Sequence, residues 1–123
     1  MLPAQNRMTR STEFGDTVSR GTRAAQPDLV VYCLRSDQTE EAGPRVGLVV
    51  SKAVGNAVQR HQVSRRLRHV ARTVLPELDV TDRVVIRALP GSRHAVSPRL
   101  EQQLRTALRR IRNRAHTSKD APS

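Results

Sequence analysis

The sequence predicts an α+β domain: one central, mostly antiparallel sheet with helices over it, in the order α-β-β-(β)-α-β-α. Three observations predict it. Short apolar runs rich in β-branched residues, LVVYCL at 29–34, RVGLVVS at 45–51 and RVVIRAL at 83–89, have the length and composition of strands. Two longer stretches, 56–75 and 97–112, carry their apolar residues at helical spacing instead. Both patterns share one chain of 123 residues, which is room for a single domain (1–123) with one modest core.

The elements follow in order. The first ten residues are polar and basic, and 1–6 are expected to form a flexible arm ahead of a folded core of about 7–112. Ser11 or Thr12 is placed to cap a short helix through Arg20, which Gly21 ends. Phe14 and Val18, four apart, share one face of it. GTRAAQPD is a connector with room for a short edge strand, and RSDQTEEAGP (35–44) is an acidic loop. Strands 29–34 and 45–51 pair most simply as a hairpin across that loop, long as it is for one. Asn56 is placed to cap a helix to about Leu75, where Pro76 stops it. That helix is long enough to be a crossover between parallel strands 45–51 and 83–89. Ser97 as cap with Pro98 at the first helical position opens the last helix, which runs to about Arg112. Residues 113–123 read as a disordered tail.

Charge narrows the function. Lys and Arg total 22 against 11 Asp and Glu, a net charge of +11. Self-repulsion of that size disfavours a compact domain unless a polyanion shares it, and nucleic acid and anionic membrane are the two obvious partners. Twenty of the basic residues are arginine, the side chain suited to bidentate phosphate contacts, although a GC-rich coding bias produces the same excess. No apolar run approaches the ~18 residues of a membrane span, and the N-terminus lacks a signal peptide's apolar core. The single Cys33 excludes an internal disulfide, fits a cytoplasmic protein and reads as a small buried hydrophobe. One cysteine leaves no zinc spacing, and there is no Walker-type loop.

The charge concentrates in one helix. GNAVQRHQVSRRLRHVAR (55–72) holds five arginines and two histidines and no carboxylate. On a wheel, Val63, Leu67, Val70, Ala71 and Val74 fall on one face, while His61, Arg65, Arg68 and Arg72 form a stripe opposite. Arg66 lies on a flank, and Arg60 nearer the apolar side. A solvated helix face normally offsets such a stripe with Glu or Asp at i±4. Here Gln59, Gln62 and Ser64 fill the gaps, which favours nucleic-acid phosphate as the partner. A membrane surface fits worse, because the opposite face carries no large aromatic anchor and must cover a sheet. The turn before the helix, with Ser51, Lys52, Gly55 and Asn56, adds free backbone N–H groups and a dipole that favour phosphate.

SKAVGNAVQRHQVSRRLR (51–68) resembles the signature of the bacterial ribonuclease P protein subunit family. Ser51, Lys52, Gly55, Asn56, Ala57, Val58, Arg60, Arg65 and Arg68 match its pattern. Ala53, His61, Gln62 and Ser64 depart from it, lowering the charge, while Arg66 and Arg72 restore some. NRMTRSTEFGDTVSRG, the three strands and the basic last helix keep the family's order, so the resemblance covers about residues 5–112.

The resemblance implies a small αβ sandwich with a left-handed βαβ crossover, a fold shared with a ribosomal protein domain and contrary to the usual hand. It implies a protein that binds a catalytic RNA, one protein to one RNA, and the single-stranded 5′ leader of precursor tRNA. No further protein partner is expected, no cofactor is held stably by the protein, and Mg²⁺ serves the RNA. Lys52, Asn56, Arg60, His61, Arg65, Arg66, Arg68 and Arg72 would face the catalytic RNA, and Phe14, Val18, Tyr32 and Ser51 the leader. Phe14 and Tyr32 are the only aromatics, and Val18 stands where a further aromatic is common, so a weaker leader grip is expected.

Other readings differ in their residues. A nuclease acting through its own side chains needs clustered carboxylates, and Glu77, Asp79 and Asp82 read instead as a connector between helix and strand. His61 and His69, eight apart, suit phosphate contacts as well as acid–base work. A structural RNA-binding protein shares the charge without needing a leader cleft. A DNA-reading helix should offer base-reading amides, for which Gln59 and Gln62 are the only candidates. On the last helix, Arg105, Arg109 and Arg112 read as a solvated face.

Overall fold

The computed structural model describes residues 2–35 and 43–120, the last six of these as backbone only. Helix α1 (Ser11–Arg20) leads to strands β1 (Thr22–Ala25), β2 (Leu29–Arg35) and β3 (Arg45–Val49). Helix α2 (Ala57–Val74), strand β4 (Asp82–Ala88) and helix α3 (Ser97–Asp120) follow. The four strands form one sheet in the order β1-β2-β4-β3, antiparallel except for the parallel β3–β4 pair. The α+β expectation holds, with the connector's short edge strand present as β1.

The expected hairpin between 29–34 and 45–51 does not form, because β4 lies between those two strands. β4 takes the central position since it is apolar on both faces: Val84, Ile86 and Ala88 on one, Val85 on the other, each at most 3% exposed. A central strand needs that, and both its edges are satisfied by ladders. Most of the acidic loop lies outside the described residues.

The main core fills the face under α2 and α3. Val63, Leu67, Val70, Ala71 and Val74 of α2 meet Leu100, Leu104, Ala107, Leu108 and Ile111 of α3, above Leu29, Val31, Val46, Val84 and Ile86. On the other face a smaller cluster joins Met8, Val30, Tyr32 and Val85 with the half-buried Phe14, Val49 and Leu89. Gly47 makes this second layer possible: a Cβ there would stand 2.5 Å from Phe14 Cε1 and 3.0 Å from Met8 Sδ. At one end of this face Glu13 of α1 pairs with Arg45 and with the buried Arg83, at 3.6 and 3.8 Å.

The N-terminal segment differs from the flexible arm expected over 1–6. Leu2 and Asn6 are buried, Asn6 Nδ2 donates to the Pro44 carbonyl at 2.8 Å, and the Met8 N–H donates to Val46 at 2.9 Å. β3 is an edge strand, and this segment covers its open backbone groups. The polar composition of residues 1–10 hid that role.

Helix ends also moved. α1 begins at Ser11 with no side-chain cap, so neither Ser11 nor Thr12 caps it. The Val96 carbonyl receives the first α3 bonds, from Arg99 and Leu100 at 3.1 Å each, placing Ser97 inside the first turn. α3 continues to Asp120, well past Arg112 and into the stretch expected to be a disordered tail. Nothing between Arg112 and Pro122 breaks a helix.

Asp28, in the β1–β2 turn, ties the layers together. Its carboxylate accepts from Arg99 Nε at 2.9 Å and Gln103 Nε2 at 2.7 Å. Its own N–H donates to Gln103 Oε1 at 2.9 Å, and its carbonyl accepts from the Leu89 N–H at 2.9 Å. Burial alone would raise the carboxyl's pKa, but the Arg99 and Gln103 hydrogen bonds and the Arg99 charge together hold it below the usual value. Asp28→Ala is expected to lower stability by about 2 kcal/mol in urea unfolding, since Gln103 loses a buried partner. The folded carboxyl titrates below the unfolded one, so its contribution is present above pH 3.8 and is lost as pH falls through the lowered value. An Asp28→Asn variant should lack that acid-side loss.

Candidate nucleic-acid interface

α2 starts where its sequence says it must. Asn56 Oδ1 accepts from the Gln59 N–H and Gln59 Oε1 accepts from the Asn56 N–H, both at 2.9 Å, a closed capping box. Gly55 precedes it at φ +156°, and a Cβ there would lie 2.2 Å from Gln59 Oε1. The SKxxGN turn therefore sets the first residue of the helix and the angular position of everything after it.

From that start the stripe appears where the wheel placed it. His61, Arg65, His69 and Arg72 are exposed and Arg68 is half-buried. None of Arg65, Arg68 and Arg72 forms a hydrogen bond or ion pair with any described residue, and every ion pair among described residues lies off α2. The side chains leave two shallow depressions, of about 480 Å³ lined by His61, Arg65, Arg68 and His69, and about 410 Å³ lined by Gln62, Arg65, Arg66, His69 and Ser97. Lys52 is exposed in the 3-10 turn Lys52–Val54 just before the helix.

Two of the expected RNA-facing residues have other work, and a third stands apart. Arg66 reaches the Arg93 and Ala95 carbonyls at 3.4 and 3.5 Å, bracing the turn before α3. Asn56 commits its side-chain oxygen to the cap. Arg60 is half-buried toward the apolar side with its Nε enclosed and unpaired among the described residues, so it stands apart from the stripe.

The residues expected to face the leader are less uniform. Tyr32 belongs to the small cluster beneath α1, and Phe14 packs against that cluster. Tyr32 is only 9% exposed, however, which leaves little ring surface for stacking a base. Val18 is 42% exposed at the rim of α1, and Ser51 is exposed just beyond the end of β3. The sequence reading missed two arginines on this face. The register places Arg23 directly across from Tyr32, and Arg87 between Val30 and Val49. Both side chains are exposed. The period-2 alternation of RVVIRAL was the available signal, since it puts Arg83, Val85 and Arg87 together.

The acidic residues near β4 are engaged. Asp79 pairs with Arg35 at 2.9 Å, Asp82 accepts from the Asp79 N–H at 3.0 Å, and Glu77 pairs with Arg105. Arg112 donates to the Glu77 carbonyl at 2.9 Å, so two of the α3 arginines brace the fold. Among the described residues no three His, Cys, Asp or Glu side chains are grouped to hold a metal, and no helix is long and apolar enough to cross a membrane.

Fold and face define a class: a small αβ sandwich that carries an unneutralised cationic helix. The family model for Ribonuclease P matches residues 2–112, so the chain belongs to the ribonuclease P protein family. The chain is 80% identical over 114 residues to the ribonuclease P protein component of Mycolicibacterium vanbaalenii, covering 93% of this chain and 96% of that one. It is 73% identical to that of Mycolicibacterium gilvum over the full length of both. The fold is similar to the Staphylococcus aureus RNase P protein (TM-score 0.73, 21% identity, 85% and 93% of the two chains). It is also similar to the Thermotoga maritima RNase P protein (TM-score 0.69, 16% identity, 87% and 96%). Membership makes it a protein component of a ribonucleoprotein of tRNA processing, with an RNA as the implied partner.

Cys33 lies against the core with Asp82 beside it. Burial and then the Asp82 carboxylate push its thiol up to about 12. The native protein is therefore expected to alkylate with iodoacetamide at pH 8 far more slowly than in urea, as intact mass will show.

Proposed function

We propose that this chain is the ribonuclease P subunit that docks the catalytic RNA on α2 and guides the 5′ leader of precursor tRNA beneath α1. The observation that carries the reading is the stripe of Arg65, Arg68 and Arg72, which no carboxylate among the described residues neutralises. Guanidinium groups without an internal partner, on a helix fixed by its core face, are preorganised for phosphate. Lys52, with the N–H groups of the turn after Ser51, extends the same surface.

The chemistry belongs to the RNA in this reading. Among the described residues Glu77, Asp79 and Asp82 are each paired with an arginine, which supports assigning Mg²⁺ to the RNA. The protein's contribution is electrostatic and positional. By neutralising phosphates it reduces repulsion between catalytic RNA and substrate, lowers the Mg²⁺ demand and raises substrate affinity. One protein per RNA, in the cytoplasm and without a further protein partner, completes the proposal.

The test is cleavage of a 5′-extended precursor tRNA at low Mg²⁺ by the cognate RNA, with and without the protein, and by protein alone. Cleavage only with both present supports the reading. Cleavage by protein alone, or binding without any gain in cleavage, contradicts it. Arg65→Gln, Arg68→Gln and Arg72→Gln together should cost ~10²-fold or more in affinity for the catalytic RNA and flatten its salt dependence by roughly one unit of slope per arginine. Thermal stability should not fall, because like charges leave the helix.

A further inference from the structure

The face beneath α1 poses a problem for a leader held by stacking. Tyr32 is packed against Met8, Val30 and Val85, and Phe14 is pressed over Gly47, so both rings serve mainly as floor. What this face exposes instead is charge. On β1, Arg23 stands across the ladder from Tyr32. On β4, Arg87 stands two residues beyond Val85, the other cross-strand neighbour of Tyr32. Residues directly opposite in a ladder point to the same side, so both arginines flank the Phe14–Tyr32 floor, from different strands. The ladder partners of Arg87 are Val30 and Val49, with Ala25 one strand further, and none of them is acidic.

The contrast within the same face is informative. Arg83 and Arg45, at its other end, are matched by Glu13. Arg23 and Arg87 have no carboxylate partner among the described residues. The Arg23 carbonyl accepts from Arg114, which holds its strand in place and leaves its guanidinium free.

Resting on the leader reading above, we infer that Arg23 and Arg87 clamp two phosphates of a single-stranded RNA crossing the sheet. The leader is then gripped through its backbone, with the apolar floor admitting any base, and the grip is salt-dependent and nearly indifferent to sequence. Neither residue belongs to the motif of 51–68, so the clamp is a separate contact from the α2 face.

The experiment uses the reconstituted holoenzyme and measures Kd for precursor tRNA with a five-nucleotide leader and for the same tRNA without one, over a series of salt concentrations. The expected wild-type result is a leader-dependent gain that changes less than about twofold between all-A and all-U leaders. Arg23→Gln and Arg87→Gln should each reduce that gain several-fold and lower its salt slope by about 0.7. Arg87→Lys should keep most of it. Melting should be unchanged, since both side chains are exposed. A gain that survives both glutamine variants, one that strongly prefers purine leaders, or an equal loss on leaderless tRNA overturns the clamp. A wild-type holoenzyme that cleaves but shows no leader-dependent gain removes the leader reading itself. One that fails to cleave removes the subunit reading.

Discussion

Everything on the outer face of this protein depends on how firmly α2 is held from the inner one. Arg65, Arg68 and Arg72 repel one another, at a few tenths of a kcal/mol for each neighbouring pair. Against that stand Val63, Leu67, Val70, Ala71 and Val74, each at most 2% exposed. Full burial of a Val or Leu is worth about 1.5–3 kcal/mol, so the apolar stripe outweighs the repulsion several times over. The helix can therefore carry charge it does not balance, and the capping box at Asn56 and Gln59 fixes which way that charge points. Carboxylates on the stripe would have made a more comfortable helix and a worse surface for phosphate.

The sheet separates two kinds of work. One face is fully covered by α2 and α3 and provides stability, with Asp28 locking the β1–β2 turn to α3 through Arg99 and Gln103. The other face is covered at one end only, by α1 and the segment around Met8. Gly47 lets Phe14 lie close enough to close that end, and Glu13 neutralises the arginines beneath it. The remainder of the face stays open with unpaired arginines. Charge is thus balanced where the structure is closed and left unbalanced where it is open, on α2 and on the sheet alike.

Much of this was legible in the sequence, and the failures share a cause. The helix wheel of 56–75 and its cap came out as read, because both are set by residues within four positions of each other. Strand order did not, since the β2–β4 pairing joins segments some fifty residues apart, and local patterns cannot rank it against the nearer hairpin. Leu2 and Asn6 went unrecognised for the same reason: their partners lie on and beside β3. Both faces of LVVYCL are apolar, so its alternation does not tell how far the Tyr32 ring is covered; packing does, leaving the residue 9% exposed. Arg83 and Arg87 look alike in RVVIRAL, yet Glu13 reaches one and not the other.

If α2 faces the catalytic RNA, cleavage from a reagent tethered to the protein will map that RNA onto α2. A hydroxyl-radical-generating chelate attached at His69→Cys on α2, or at Arg110→Cys on α3, reports which RNA nucleotides lie near each helix. A Cys33→Ser background leaves the introduced thiol as the one point of attachment. Docking on α2 should give a compact set of strong cuts in the catalytic RNA from position 69 and few from position 110. Strong cuts from position 110 with none from position 69 would contradict it, and would move the docking face to α3.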